Sequence, residues 1–203
     1  MSGVIGRRGV LGGTGLLIAA PSSPWAAPKK PRVTITTRHG VIAVELEDRK
    51  APLTCANFLR YVKAAKYDGA TFYRAARVKN APKSGTIVAT PGPKAQPFPP
   101  IGHESTTKTG LRHVDGTISL GRFGPGTARG DFFICVGDLP YLDAQPGAPG
   151  DNLGFAAFGR VVQGMSVVRK ILASPTSKSA PFVEQRGEWL APPVPIVSAR
   201  RTA

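Results

Sequence analysis

Residues Gly116–Val136 read GTISLGRFGPGTARGDFFICV. Thr117 to Gly121 is a short β-branched and apolar run. Phe123 to Gly130 holds three glycines and a proline, which marks a loop. Asp131 to Val136 is densely apolar, with two adjacent phenylalanines, and reads as a buried strand. Two strands joined by such a loop set a polar rim beside an aromatic floor. Alone, the pattern describes ordinary β-hairpin core as well as a site, so the flanking sequence has to decide.

Working outward, Val33–Thr37 and Val41–Leu46 alternate apolar and polar residues around the turn His39-Gly40, a β-hairpin. Pro52 suits the first turn of a helix whose apolar stripe is Cys55, Phe58, Leu59 and Val62. Tyr67-Asp68-Gly69 ends it, and Thr71–Arg74 reads as a strand. From Arg77 to Pro100 the chain is proline-rich loop interrupted by one strand, Thr86–Thr90. Leu139–Asn152 is another loop, Phe155–Val162 a strand and Gly164–Leu172 a second amphipathic helix. Ser174–Pro193 looks irregular, and Val194–Ser198 is the last strand. About eight short strands and two helices, without βαβ alternation, favour a mainly β fold, an antiparallel barrel with helical plugs, over a parallel α/β sheet.

The chain has 203 residues, with 41% hydrophobic and 19% charged, enough for one domain with a real core. Its formal net charge is +15, but the basic residues are scattered and form no recognised nucleic-acid motif. No stacking platform of aromatics interleaved with arginine or lysine accompanies them, so nucleic acid is not an expected partner. A solvated basic surface is expected, with weak attraction to anionic envelope polymers or lipid head groups. Cys55 and Cys135 sit in apolar surroundings and read as buried free thiols. His39 is a turn residue with no ligand set near it, and neither metal nor cofactor is expected. Residues 1–27 lie outside the fold: Arg7-Arg8 precede a short apolar run and a small-residue zone, the pattern of a twin-arginine export signal. A periplasmic or otherwise exported location follows, with residues 28–203 as a single, monomeric domain.

Read together, several segments resemble the cyclophilins, the peptidyl-prolyl cis-trans isomerase family. They are Ala51-Pro52 with Thr54 and Asn57-Phe58, Tyr67-Asp68-Gly69 with Thr71-Phe72-Tyr73-Arg74, and Gly116–Leu120 with Arg122. Phe132-Phe133-Ile134, Leu142-Asp143, Phe158-Gly159-Arg160-Val161 and Gly164-Met165 with Val167-Val168 follow in the family's order. The resemblance covers roughly residues 33 to 200. It implies a closed eight-stranded antiparallel cyclophilin-like barrel capped by two helices, with the site on the outer wall.

The resemblance also implies roles. Arg74 matches the catalytic arginine, although a lone strand arginine is more often a solvated surface residue. Phe133 matches the floor of the proline pocket and Leu142 its wall. Phe155, Gly121, Arg122 and Tyr141 join the substrate-binding set, with Tyr141 where some members carry Trp. Without the resemblance each of the apolar residues is ordinary core. Two positions depart. Pro91 falls where an arginine-orienting Gln is expected, and Asp131 where a second Gln stands. A carboxylate accepts hydrogen bonds and does not donate them, and beside Arg74 it would either orient the guanidinium or tie it up. Two functional readings follow: an isomerase acting on proline-containing peptides and unfolded exported proteins, or a catalytically weak peptide-binding or chaperone module.

Overall fold

The computed structural model describes residues 1–3 and 29–202. The export-signal reading of residues 1–27 therefore falls almost wholly outside the described residues. The elements run β1 (Arg32–Thr37), β2 (Gly40–Leu46), α1 (Pro52–Lys63), β3 (Thr71–Val78), β4 (Ala81–Thr90), α2 (Thr106–Thr109), β5 (Thr117–Leu120) and β6 (Phe132–Val136). There follow β7 (Ala156–Gln163), α3 (Met165–Leu172), β8 (Thr176–Ser177) and β9 (Trp189–Arg201). All strand pairings are antiparallel, in the order β1-β2-β7-β5-β6-β4-β3-β9. Pairing of β1 with β9 closes the ring, so eight strands make the barrel. The two-residue β8 is an addition on β9. The expected barrel is thus the observed one, and the single-turn α2 is a third helix beyond the two expected.

Two stretches are more regular than their composition suggests. β3 and β4 form one long hairpin reaching Val78 and Ala81, where a proline-rich loop was expected. Arg77 pairs with Gly85 and Val78 with Ala81, so Pro82, Lys83 and Ser84 bulge out of the ladder. Proline lacks a backbone N–H, and at such a bulge none is needed. β9 begins at Trp189, five residues before the expected strand, inside the stretch read as irregular. Its prolines at 192, 193 and 195 disguise it.

The barrel interior is filled from α1, α3 and most strands. Phe58 of α1 lies 5.5 Å from Phe132 and 5.2 Å from Phe158, and Tyr67 lies 5.3 Å from Phe132. Tyr67 is fully buried, and its hydroxyl donates to the Gly130 carbonyl at 2.7 Å, which satisfies the polar end of an otherwise apolar ring. All five residues of β6 are buried. Side chains alternate across a strand: Phe132 and Ile134 join the main core, while Phe133 and Cys135 join a smaller cluster with Val88 and Leu139. β6 is therefore covered on both faces, which explains its unbroken apolar run. The second cluster, on the outside of the barrel wall, is where the site lies.

Candidate active site

A groove of about 530 Å³ crosses the outer wall over β3, β4 and β6. Its floor is Phe133, 5% exposed, with Val88 directly opposite on β4. Phe155 meets Phe133 edge to face at 5.3 Å. Leu142, at the end of a 3-10 turn over Pro140–Leu142, forms a wall, and its carbonyl accepts from the Phe155 N–H at 3.0 Å. Tyr141, 58% exposed, stands on the rim. The structure thus brings Phe133, Leu142, Phe155 and Tyr141 to one apolar cleft, together with Arg74, Gly121, Arg122 and Asp131.

The floor is braced from behind. His113 stacks on Phe133 at 5.8 Å and is 1% exposed. Its Nδ1 lies 2.6 Å from Asp143 Oδ1 and its Nε2 lies 2.9 Å from Ser119 Oγ. Burial holds the imidazole below its ordinary value, and the Asp143 carboxylate opposes that shift only in part. The ring is therefore neutral at pH 7. Nδ1–H donates to the carboxylate, and Nε2 accepts from the buried Ser119 hydroxyl.

Arg74 reaches the groove because β3 is irregular beside it. Register shifts between Phe72 and Arg74 occur in the pairings with both β4 and β9. Such a bulge lets neighbouring residues share a face. Phe72 and Ala75 point into the core, and Tyr73 and Arg74 both line the groove. Glu188, just before β9, holds the guanidinium. Arg74 Nε donates to Glu188 Oε2 at 2.6 Å, and Nη2 lies 2.6 Å from the same oxygen. Next to it Trp189 packs on Tyr73 with ring centroids 5.0 Å apart.

The expected pairing of Asp131 with Arg74 is not what forms. Glu188 occupies the guanidinium, and Asp131 accepts instead from the Thr90 hydroxyl. Burial pushes the Asp131 carboxyl above its ordinary value, and the Thr90 bond offsets this only partly. Among the described residues Asp131 has no ion-pair partner. Pro91 also differs from its expected place. Alternation along β4 turns Thr86 and Val88 to the groove and sets Thr90 beside Asp131. Pro91 packs on Gly130 instead, where an added Cβ would lie 2.6 Å from its Cγ.

Arg122 lines the groove, but its donors serve the protein. Nε and Nη2 bond to the Gly154 carbonyl, and the two Nη atoms grip Asp151. Its guanidinium lies 5.4 Å from the Phe155 ring centre. Arg122 thus fixes the 151–155 loop and, through it, Phe155. Gly121 allows β5 and β6 to converge: its N–H donates to the Asp131 carbonyl at 2.8 Å, and a Cβ there would come 3.2 Å from Asp131 Cβ. Sequence reasoning missed Glu188, Thr90 and Tyr73. Glu188 is 114 residues from its partner, in a stretch without periodicity, and carries no local signal.

Residues 32–201 match the family model described as cyclophilin type peptidyl-prolyl cis-trans isomerase/CLD. The chain belongs to the cyclophilin family. It is 34% identical over 170 residues to peptidyl-prolyl cis-trans isomerase A of Dickeya dadantii, covering 83% of this chain and 85% of that one. Over 169 residues it is 36% identical to an Acinetobacter baylyi peptidyl-prolyl cis-trans isomerase, covering 83% and 82%. Among solved structures, a Cryptosporidium parvum cyclophilin type isomerase, determined in the presence of the dipeptide Ala-Pro, superposes with a TM-score of 0.65 at 19% identity. It covers 85% of this chain and 99% of that one, and it shows the shared fold. By family the chain is a peptidyl-prolyl cis-trans isomerase.

Proposed function

We propose that the chain isomerises X-Pro bonds of unfolded exported proteins, with Arg74 assisting the twist of the amide. The observation that carries this reading is the placement of a held guanidinium at the edge of an apolar cleft floored by Phe133. Prolyl isomerisation breaks no covalent bond. Its barrier, about 18–20 kcal/mol, is the loss of amide resonance on twisting. The two X-Pro isomers differ by only about 0.5–1 kcal/mol, so the catalyst need favour only the twisted state. In that state the prolyl nitrogen is pyramidal and has a lone pair able to accept a hydrogen bond. A guanidinium donates there without regard to pH, because it is always charged. The proline ring fits the cleft of Phe133, Leu142 and Phe155, and burial of the ring holds the amide against Arg74. Turnover of a proline tetrapeptide by wild type and Arg74→Ala tests this.

One observation favours a second reading, a peptide-binding module with little turnover. Asp131 lines the groove, and its carboxylate cannot donate to a substrate carbonyl. Binding of the tetrapeptide without acceleration of its isomerisation would support that reading over the first.

Export rests on Arg7-Arg8 and the apolar run after them. Replacing both by lysine should leave the chain in the cytoplasm on cell fractionation. Arrival of the wild type in the envelope of cells lacking the twin-arginine translocase would refute the route. A monomer with a basic surface suits this role, since the net charge without residues 1–27 is 15 − 2 = +13, Arg7 and Arg8 being the only charges removed.

A further inference from the structure

We infer that Glu188 is the positioning residue for Arg74, doing from the approach to β9 what the amide side chains of the neighbouring strands do not do here. This rests on the reading of Arg74 as the catalytic guanidinium. Neither position where the resemblance sets an orienting amide supplies a contact to the guanidinium. Asp131 is engaged by Thr90, and Pro91 packs on Gly130. The only acceptor that the described residues offer Arg74 is Glu188 Oε2, 2.6 Å from both Nε and Nη2.

The geometry favours positioning over blockade. Arginine has five N–H donors in a planar fork. Glu188 takes the Nε edge, which leaves Nη1 without an acceptor among the described residues and available to a ligand in the groove that Arg74 lines. The backbone that carries the carboxylate is itself held. The Glu188 carbonyl accepts from the Ala75 N–H at 2.7 Å, tying its backbone to β3 one residue beyond Arg74. Trp189 follows at once, packed on Tyr73 and donating from its indole N–H to Gln185 at 2.9 Å. The segment 185–189 is thus fastened to β3 on both sides of the ion pair. An arginine fixed in this way enters the reaction with its orientation already set, and that favours the transition state over the bound ground state.

Saturation kinetics on a proline tetrapeptide with the full chain test the inference. Glu188→Ala should lower kcat about tenfold, the equivalent of about 1.4 kcal/mol, and leave KM within about twofold of wild type. Glu188→Gln keeps an oxygen acceptor and should stay within about threefold of wild type. In the Arg74→Ala background, Glu188→Ala should change nothing further, because the two residues act as one unit. The Arg74 Nε–H resonance, sharp in wild type and Glu188→Gln, should broaden or shift in Glu188→Ala. Unchanged or raised kcat in Glu188→Ala, with Arg74→Ala impaired, would overturn the inference: Glu188 would then be a bystander or a competitor. An equal loss in both backgrounds would overturn it too, since Glu188 would be acting apart from Arg74. Full activity of Arg74→Ala alone would instead remove the reading on which the inference stands.

Discussion

Asp131 is a half-buried carboxylate in the groove of the outer wall, bonded by a neutral hydroxyl and, among the described residues, without an ion-pair partner. Its carboxyl is raised above the ordinary 3.8 because burial disfavours the charged form. A raised value in the folded state means that the folded chain binds the proton more tightly than the unfolded chain does. Asp131 therefore favours the fold fully at pH below 3.8, and that contribution is lost as pH rises through its folded value. Asp131→Asn keeps an acceptor for Thr90 and has no charge to bury. Its melting temperature should exceed that of wild type by a margin that grows as the pH is raised from about 3 to 7 and then levels off. A margin that is the same at all pH values would show that the carboxylate is not penalised by its surroundings. Residue identity was legible at this scale where a motif carried it, as at Arg74 and Phe133. Partner choice was not: Asp131 lies nearer to Arg74 in any strand-based expectation than Glu188, yet it is Glu188 that bonds the guanidinium. A side-chain pairing between residues 74 and 188 depends on where two strands meet in space, which no local pattern encodes.

Elements position the site through their irregularities. The bulge at Tyr73 turns Arg74 outward, and the two-sided burial of β6 places one phenylalanine in the core and the next in the groove. The second fact was readable, since the uninterrupted FFICV run announces a strand covered on both faces. The first was not, because nothing in the TFYRAAR stretch marks an extra residue. Proline content misled in the same way, hiding the bulged β4 end and the start of β9. The loop before β5 and the 3-10 turn carrying Leu142 are joined by His113, through Asp143 and Ser119. Burial depresses the His113 value below the ordinary 6.5. A depressed histidine contributes stability that is present above its unfolded value and is lost as pH falls through the folded one. Wild type should therefore lose stability as the pH falls below 6.5, and His113→Gln should lack that part of the decline. Parallel stability–pH curves for the two proteins over that range would show that the imidazole is not buried neutral.

At the scale of the whole molecule, one strand does two jobs. β9 closes the barrel by pairing with β1 through Thr36–Ser198, Ile35–Ala199 and their neighbours, and at its other end it delivers Trp189 and the preceding Glu188 to the site. Barrel closure and orientation of the arginine are thus properties of one continuous segment. The antiparallel barrel followed from counting strands and noting the absence of βαβ alternation, and its closure from the family resemblance. The dependence of the site on β9 followed only from the structure. The role proposed for Arg74 is to lower the barrier to amide twisting from the outer wall of this barrel. The most direct test is the kcat/KM of Arg74→Ala against wild type on a proline tetrapeptide, with folding checked by circular dichroism. A loss of at least about tenfold, or about 1.4 kcal/mol of transition-state stabilisation, is predicted with the fold intact. Equal kcat/KM in two folded proteins would contradict the claim.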